Sequence, residues 1–142
     1  MNKWAEINLD AVKNNVRIIN NMLSGGSKIM AVVKADAYGH GAAFTARAIA
    51  GCGVGFFAVS SLDEAVHLRE NGISQDILIL GHTDPSEVNT GKFIKYNLTQ
   101  TVFNLEQTRI LSEIAGSRKI KAHIIIDTGM NRLGLKWTGR NK

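Results

Sequence analysis

The chain of 142 residues is 44% hydrophobic and 20% charged, which suits one globular domain and excludes a disordered tail. Its net charge of +5 lies beyond Thr108, where eight basic residues face two acidic ones against nine facing ten before it, so no nucleic-acid groove spreads over the domain. One cysteine, Cys52, excludes a disulfide framework, no run nears the ~18 apolar residues of a membrane span, and "MNKWAEINLD" has no apolar signal core; a cytoplasmic protein with no membrane or nucleic-acid partner is expected.

In chain order, Lys3 to Leu9 alternates Trp4, Glu6 and Asn8 with Ala5, Ile7 and Leu9, the pattern of a half-buried strand. Asp10 stands where an N-cap would, and Val12, Val16, Ile19 and Leu23 recur at helical spacing up to Ser24-Gly25-Gly26. Five β-branched-rich runs follow: "KIMAVVKAD", "GFFAVSS", "DILILGH", "LTQTVF" and "KIKAHIIID". Helical segments separate them at Gly39–Ile49, Ser61–Glu70, Pro85–Tyr96 with proline at the first helical position, and Asn104–Ala115 with Leu105, Leu111, Ile114 and Ala115 on one side. Continuous apolar strands predict a sheet buried on both faces, and single intervening helices predict parallel crossovers. The fold class is α/β. Strand starts near 28, 55, 76, 98 and 119 suit either a complete doubly wound domain or a (β/α)8 barrel stopped past its middle, since a barrel needs ~250 residues.

Chemistry is expected at the carboxyl ends of such strands. Lys34 ends the first apolar run, followed by Asp36, Tyr38 and His40. A desolvated lysine offers a free amine, able to bond an aldehyde cofactor and later serve as a base; the alternative is a lysine that snorkels outward. Gly39 and Gly41 would let backbone amides approach an anion, although two glycines in such a turn are ordinary turn chemistry. Asp127 closes the fifth run, and Arg132 beyond it carries a planar fork for a carboxylate or phosphate. In a barrel, strands one and five face each other across the mouth, so Lys34 and Arg132 could meet on one ligand. His67, His82 and His123 lack metal-ligand spacing, so no metal is expected.

The stretches "WAEINLDAVKNN", "AVVKADAYGHG" and "IDTGMNRLG" together resemble the alanine racemases, collinearly from about Trp4 to Gly134. The resemblance implies a fold-type III pyridoxal 5′-phosphate enzyme with an N-terminal (β/α)8 TIM-type barrel and a C-terminal β domain. Residues 10–142 would then be an incomplete barrel of about five strands, and residues 1–9 a strand belonging with the second domain's sheet. Lys34 matches the lysine that covalently holds the cofactor and acts as base on the face used for the D-enantiomer. Tyr38 matches the tyrosine on the cofactor phosphate, and Arg132 the arginine near the phenolic oxygen and the substrate carboxylate. Ile125 replaces a lysine that many family members carry, whose carbamate steadies that arginine. The second base, a tyrosine of a partner subunit's second domain in the family, has no matching position here. The implied function is interconversion of L- and D-alanine by a homodimer, supplying D-alanine for peptidoglycan, with this chain an N-terminal fragment inactive alone. The rival readings are a serine or broad-specificity racemase and a non-catalytic pyridoxal-phosphate-binding barrel protein.

Overall fold

The computed structural model describes residues 3–136. Five parallel strands, β1 (Ile29–Val32), β2 (Val54–Val59), β3 (Asp76–Ile79), β4 (Thr99–Val102) and β5 (Lys121–Ile124), pair in the order β1-β2-β3-β4-β5. Each crossover steps one strand in the same direction. A doubly wound sheet reverses direction at a switch point, so the one-way order is that of successive strands in a (β/α)8 barrel. This resolves what spacing left open.

Helices α1 (Leu9–Met22), α3 (Ala42–Ala50), α4 (Leu62–Glu70), α5 (Glu87–Lys95) and α6 (Leu105–Ala115) accompany the strands, and a short turn of helix, α2 (Lys34–Gly39), follows β1. Phe57, Val59, Ile77, Ile79 and Val102 form one core with Ala46, Ile49, Leu62, Leu68, Phe93 and Leu111. By alternation and register, Met30, Val32, Phe56, Ala58, Leu78, Thr99 and Thr101 lie on the opposite, inner face. At the amino end of the strands Arg69 staples the turns: its Nε–H donates to Tyr96 O (2.8 Å), Nη1 to Ile73 O and Gln75 O (both 2.6 Å), and Nη2 to Asn97 O (3.2 Å). That end is built for stability, which leaves the carboxyl end for chemistry.

Several expectations need correction. Residues 3–8 have no secondary structure, and Leu9 already belongs to α1; alternation makes a strand only when a ladder partner takes its backbone groups. The N-cap of α1 is Asn8, whose side chain accepts from Ala11 N–H at 3.0 Å, while Asp10 lies in the first turn. Pro85 precedes α5 rather than opening it, because Ser86 takes the cap and accepts from Asn89 N–H at 3.2 Å. On α6, Leu105 is exposed and Gln107 is buried instead. Burial on both faces holds for β3 and β4 but not for β1, where Met30 and Val32 are exposed, nor for β5, exposed throughout. Among the described residues these two strands end the ladder. Beyond β5, β6 (Ile126–Asp127) pairs in parallel with β7 (Leu135–Lys136).

Candidate functional site

Met30 and Val32 lie on the inner face, and Lys34 opens α2 two residues beyond the end of β1. Val33, buried, fixes the strand end by donating its N–H to Ala58 O at 2.9 Å. Lys34 is half-buried, neither enclosed nor extended into water. It lines a cavity of ≈ 180 Å³ with Ser60, Leu80, Gly81, Arg132 and Leu133. The lysine after strand one and the arginine after strand five therefore share one cavity. Among the described residues neither has an acidic ion-pair partner.

The chain leaves Lys34 in an uncommon way. Ala35, Asp36, Ala37 and Tyr38 form a left-handed turn with φ of 50, 53, 54 and 56°. For L-residues this costs roughly 1–2 kcal/mol each, so neighbouring groups must hold it. Ala37 N–H donates to Val33 O (3.0 Å) and Gly41 N–H to Asp36 O (2.9 Å). Asp36 Oδ1 accepts from Ala42 N–H (2.6 Å), fastening the turn to the start of α3. Such strain gathers at functional sites. The helix expected from Gly39 accordingly begins at Ala42. The Gly41 amide is committed to Asp36 rather than presented to an anion. Tyr38 is 62% exposed on this turn and does not line the Lys34 cavity.

Arg132 reaches the cavity on a loop organised by Asp127. Asp127 Oδ1 accepts from Gly129 N–H (2.9 Å) and Asn131 N–H (3.0 Å), and Asn131 Nδ2 donates to Gly129 O (3.0 Å). Those backbone N–H groups hold the Asp127 carboxyl below the usual carboxylate range. The loop folds back onto the strand at Gly134, φ 130°, where a β-carbon would stand 2.6 Å from Ile125 Cγ2 and 2.8 Å from Asp127 N. Leu135 N–H then donates to Ile125 O at 2.9 Å. Ile125 thus serves as a packing surface for the loop that carries Arg132.

Two contributors went unnoticed in the sequence. Gly81 lines the cavity, and a β-carbon there would collide with the Ser60 carbonyl. Glu64 accepts Ala35 N–H on Oε1 (2.8 Å) and Ser60 N–H on Oε2 (2.7 Å). Its available signal was the Ser61-x-x-Glu64 spacing of a capping box. His82 is held structurally, between Asp84 (3.0 Å) and Gln107 (3.3 Å) with its ring edge-on to Phe103. Among the described residues no group of His, Cys, Asp and Glu could hold a metal ion, and no helix is long and apolar enough to cross a membrane.

Comparison with known proteins matches residues 7–140 to the family "Alanine racemase, N-terminal domain". An alanine racemase of Caldanaerobacter subterraneus subsp. tengcongensis is 41% identical over 131 residues, covering 91% of this chain and 33% of the relative. The solved alanine racemase of Clostridium difficile 630 superposes with a TM-score of 0.87 at 42% identity, over 94% of this chain and 35% of that one. A histidine racemase from Leuconostoc mesenteroides subsp. sake superposes at 0.81 and 32% identity, over 90% and 34%. The chain spans about a third of the length of the relatives it matches.

Proposed function

Because the chain belongs to the alanine racemase N-terminal domain family, we propose that it supplies the cofactor-holding part of a racemase acting on alanine. The observation that carries this reading is a cavity that Lys34 and Arg132 line together at the carboxyl ends of the strands. Its lining suits pyridoxal 5′-phosphate, an anionic aldehyde: the Lys34 amine and the Arg132 guanidinium belong to residues that line it with Ser60 and Gly81, the latter packed too close to the Ser60 carbonyl to carry a β-carbon. Lys34 Nζ would hold the group covalently, and Tyr38, exposed on the adjoining turn, would offer its hydroxyl to the phosphate. When bound, the group supplies an electron sink for the charge left by a departing α-proton.

The protein's own share is positioning and proton transfer. The Arg132 fork binds the amino acid's carboxylate and fixes which α-carbon face meets Lys34. Lys34 Nζ takes or returns a proton at that face. Leu80 and Leu133 narrow the water around it. Inversion needs a base on each face. The chain has two tyrosines, and Tyr96 donates to Glu70 Oε1 at 2.9 Å at the far, amino end of the strands. Alone, then, the chain is inactive as a racemase: what Lys34 leaves it is at most exchange of the α-proton on one face, without inversion of the centre. The longer enzyme, a cytoplasmic homodimer, takes its second base from the partner subunit, and residues 3–8, which have no ladder partner here, join the sheet of its second domain. Its D-alanine serves peptidoglycan.

A second reading, racemisation of another amino acid such as serine or histidine, is favoured by the 32% identical histidine racemase and by Ile125 in place of an anionic group beside Arg132. One experiment separates these readings. The protein is incubated in D2O with pyridoxal 5′-phosphate and each enantiomer of alanine, serine and histidine, and α-deuteration is followed by NMR. Fastest exchange with one enantiomer of alanine, abolished in Lys34→Ala, supports the proposal. Faster exchange with another amino acid supports the second reading, and cofactor binding without exchange would leave only a carrier.

A further inference from the structure

In a capping box the glutamate turns back to the N–H of the cap residue itself. The cap of α4 is Ser61, whose hydroxyl accepts Glu64 N–H at 3.3 Å, but the Glu64 carboxylate does not complete the box. Its Oε2 takes the N–H of Ser60, one residue earlier, at 2.7 Å, and its Oε1 crosses to the N–H of Ala35 at 2.8 Å. Ala35 directly follows Lys34 and opens the left-handed turn, while Ser60 directly follows β2 and lines the Lys34 cavity. One carboxylate thus ties the exits of β1 and β2 together, by charge-assisted hydrogen bonds to the two backbone segments that frame the lysine.

We infer that Glu64 is a positioning residue for Lys34: by gripping Ala35 and Ser60 it aims the Nζ amine into the cavity shared with Arg132. The inference rests on the proposed role of Lys34. Removing the grip frees the peptide after Lys34 to leave its left-handed conformation, and the amine loses its fixed direction. A misplacement of about 1 Å can cost a reacting site about a hundredfold.

The test labels the chain with limiting pyridoxal 5′-phosphate, reduces with borohydride, maps the labelled lysines, and follows amide hydrogen exchange in parallel. Glu64→Gln keeps an acceptor but puts a donor against an N–H, and should cut Lys34 labelling by about tenfold or more while exchange at Ala35 and Ser60 accelerates. Glu64→Asp, with the charge on a shorter stem, should restore part of both. Ser61→Ala removes the α4 cap and leaves the grip, so it should loosen the helix start yet keep Lys34 labelling. Equal losses in Glu64→Gln and Ser61→Ala, or full Lys34 labelling in Glu64→Gln, would overturn the positioning role. If the unmodified chain fails to label Lys34, the functional reading falls first and this inference with it, an outcome distinct from a failure in the Glu64 variants alone.

Discussion

The carbonyl of Ser60 occupies the space a β-carbon on residue 81 would need, so β2 and β3 leave the sheet in contact that only glycine permits. The Gly81 N–H donates to that carbonyl at 3.2 Å, next to Leu80 N–H on Val59 O at 2.8 Å. Both residues line the Lys34 cavity.

Gly81→Ala must therefore push the two strand exits apart. The expected loss is about 1–3 kcal/mol in urea unfolding, the range for overpacking a site that cannot yield, together with weaker cofactor binding. Unchanged stability would mean that the strand ends shift freely, and the rigid cavity floor would be wrong.

Ala35→Gly tests the left-handed turn from the other side. Ala35 is exposed and sits at φ 50°, ψ 50°, so glycine relieves steric strain and loses no packing, against extra freedom in the unfolded chain. Stability should hold or rise by up to about 1 kcal/mol, and protection of the Ala37 and Gly41 amides should be kept. A loss above that amount would show that the turn is not strained.

Acid should loosen the loop that carries Arg132. Bonds from Gly129 and Asn131 N–H depress the Asp127 carboxyl in the folded chain. A depressed carboxyl contributes fully above its unfolded value of about 3.9 and progressively less as pH falls through the folded value. Amide exchange at Gly129 and Asn131, corrected for intrinsic pH dependence, should thus lose protection only below about pH 4. Asp127→Ala should lack protection at neutral pH as well, and an identical profile in both proteins would refute the loop's dependence on Asp127.

Arg132→Lys keeps the charge but loses the planar fork. The amino-acid concentration for half-maximal α-deuteration should rise about tenfold or more, with cofactor labelling of Lys34 retained. Unchanged concentration dependence would remove Arg132 from the substrate carboxylate.

The strands were legible because each is a short β-branched run, and their starts lie within two residues of the observed ones. Lys34 and Arg132 were legible for the same reason: strand ends are where side chains leave the core. What stayed hidden depends on partners distant in sequence. Ala35 and Ala37 carry no preference for positive φ, so nothing local announces the left-handed turn; Glu64, reaching across the fold to Ala35 N–H, holds it together with Asp36, which grips the start of the next helix at Ala42. Gly81 reads as an ordinary turn glycine until Ser60 is seen against it. Leu105 fits the apolar stripe of α6, yet Gln107 is buried there because His82 and Phe103 N–H give it partners.

The central claim is that Lys34, facing Arg132, holds the cofactor. Borohydride reduction of the chain with equimolar pyridoxal 5′-phosphate, followed by peptide mapping, tests it most directly. The account predicts a phosphopyridoxyl group on Lys34 in large excess over every other lysine, lost in Lys34→Ala without transfer to a neighbour. Label spread evenly over the surface lysines, or concentrated on any lysine but Lys34, would contradict it.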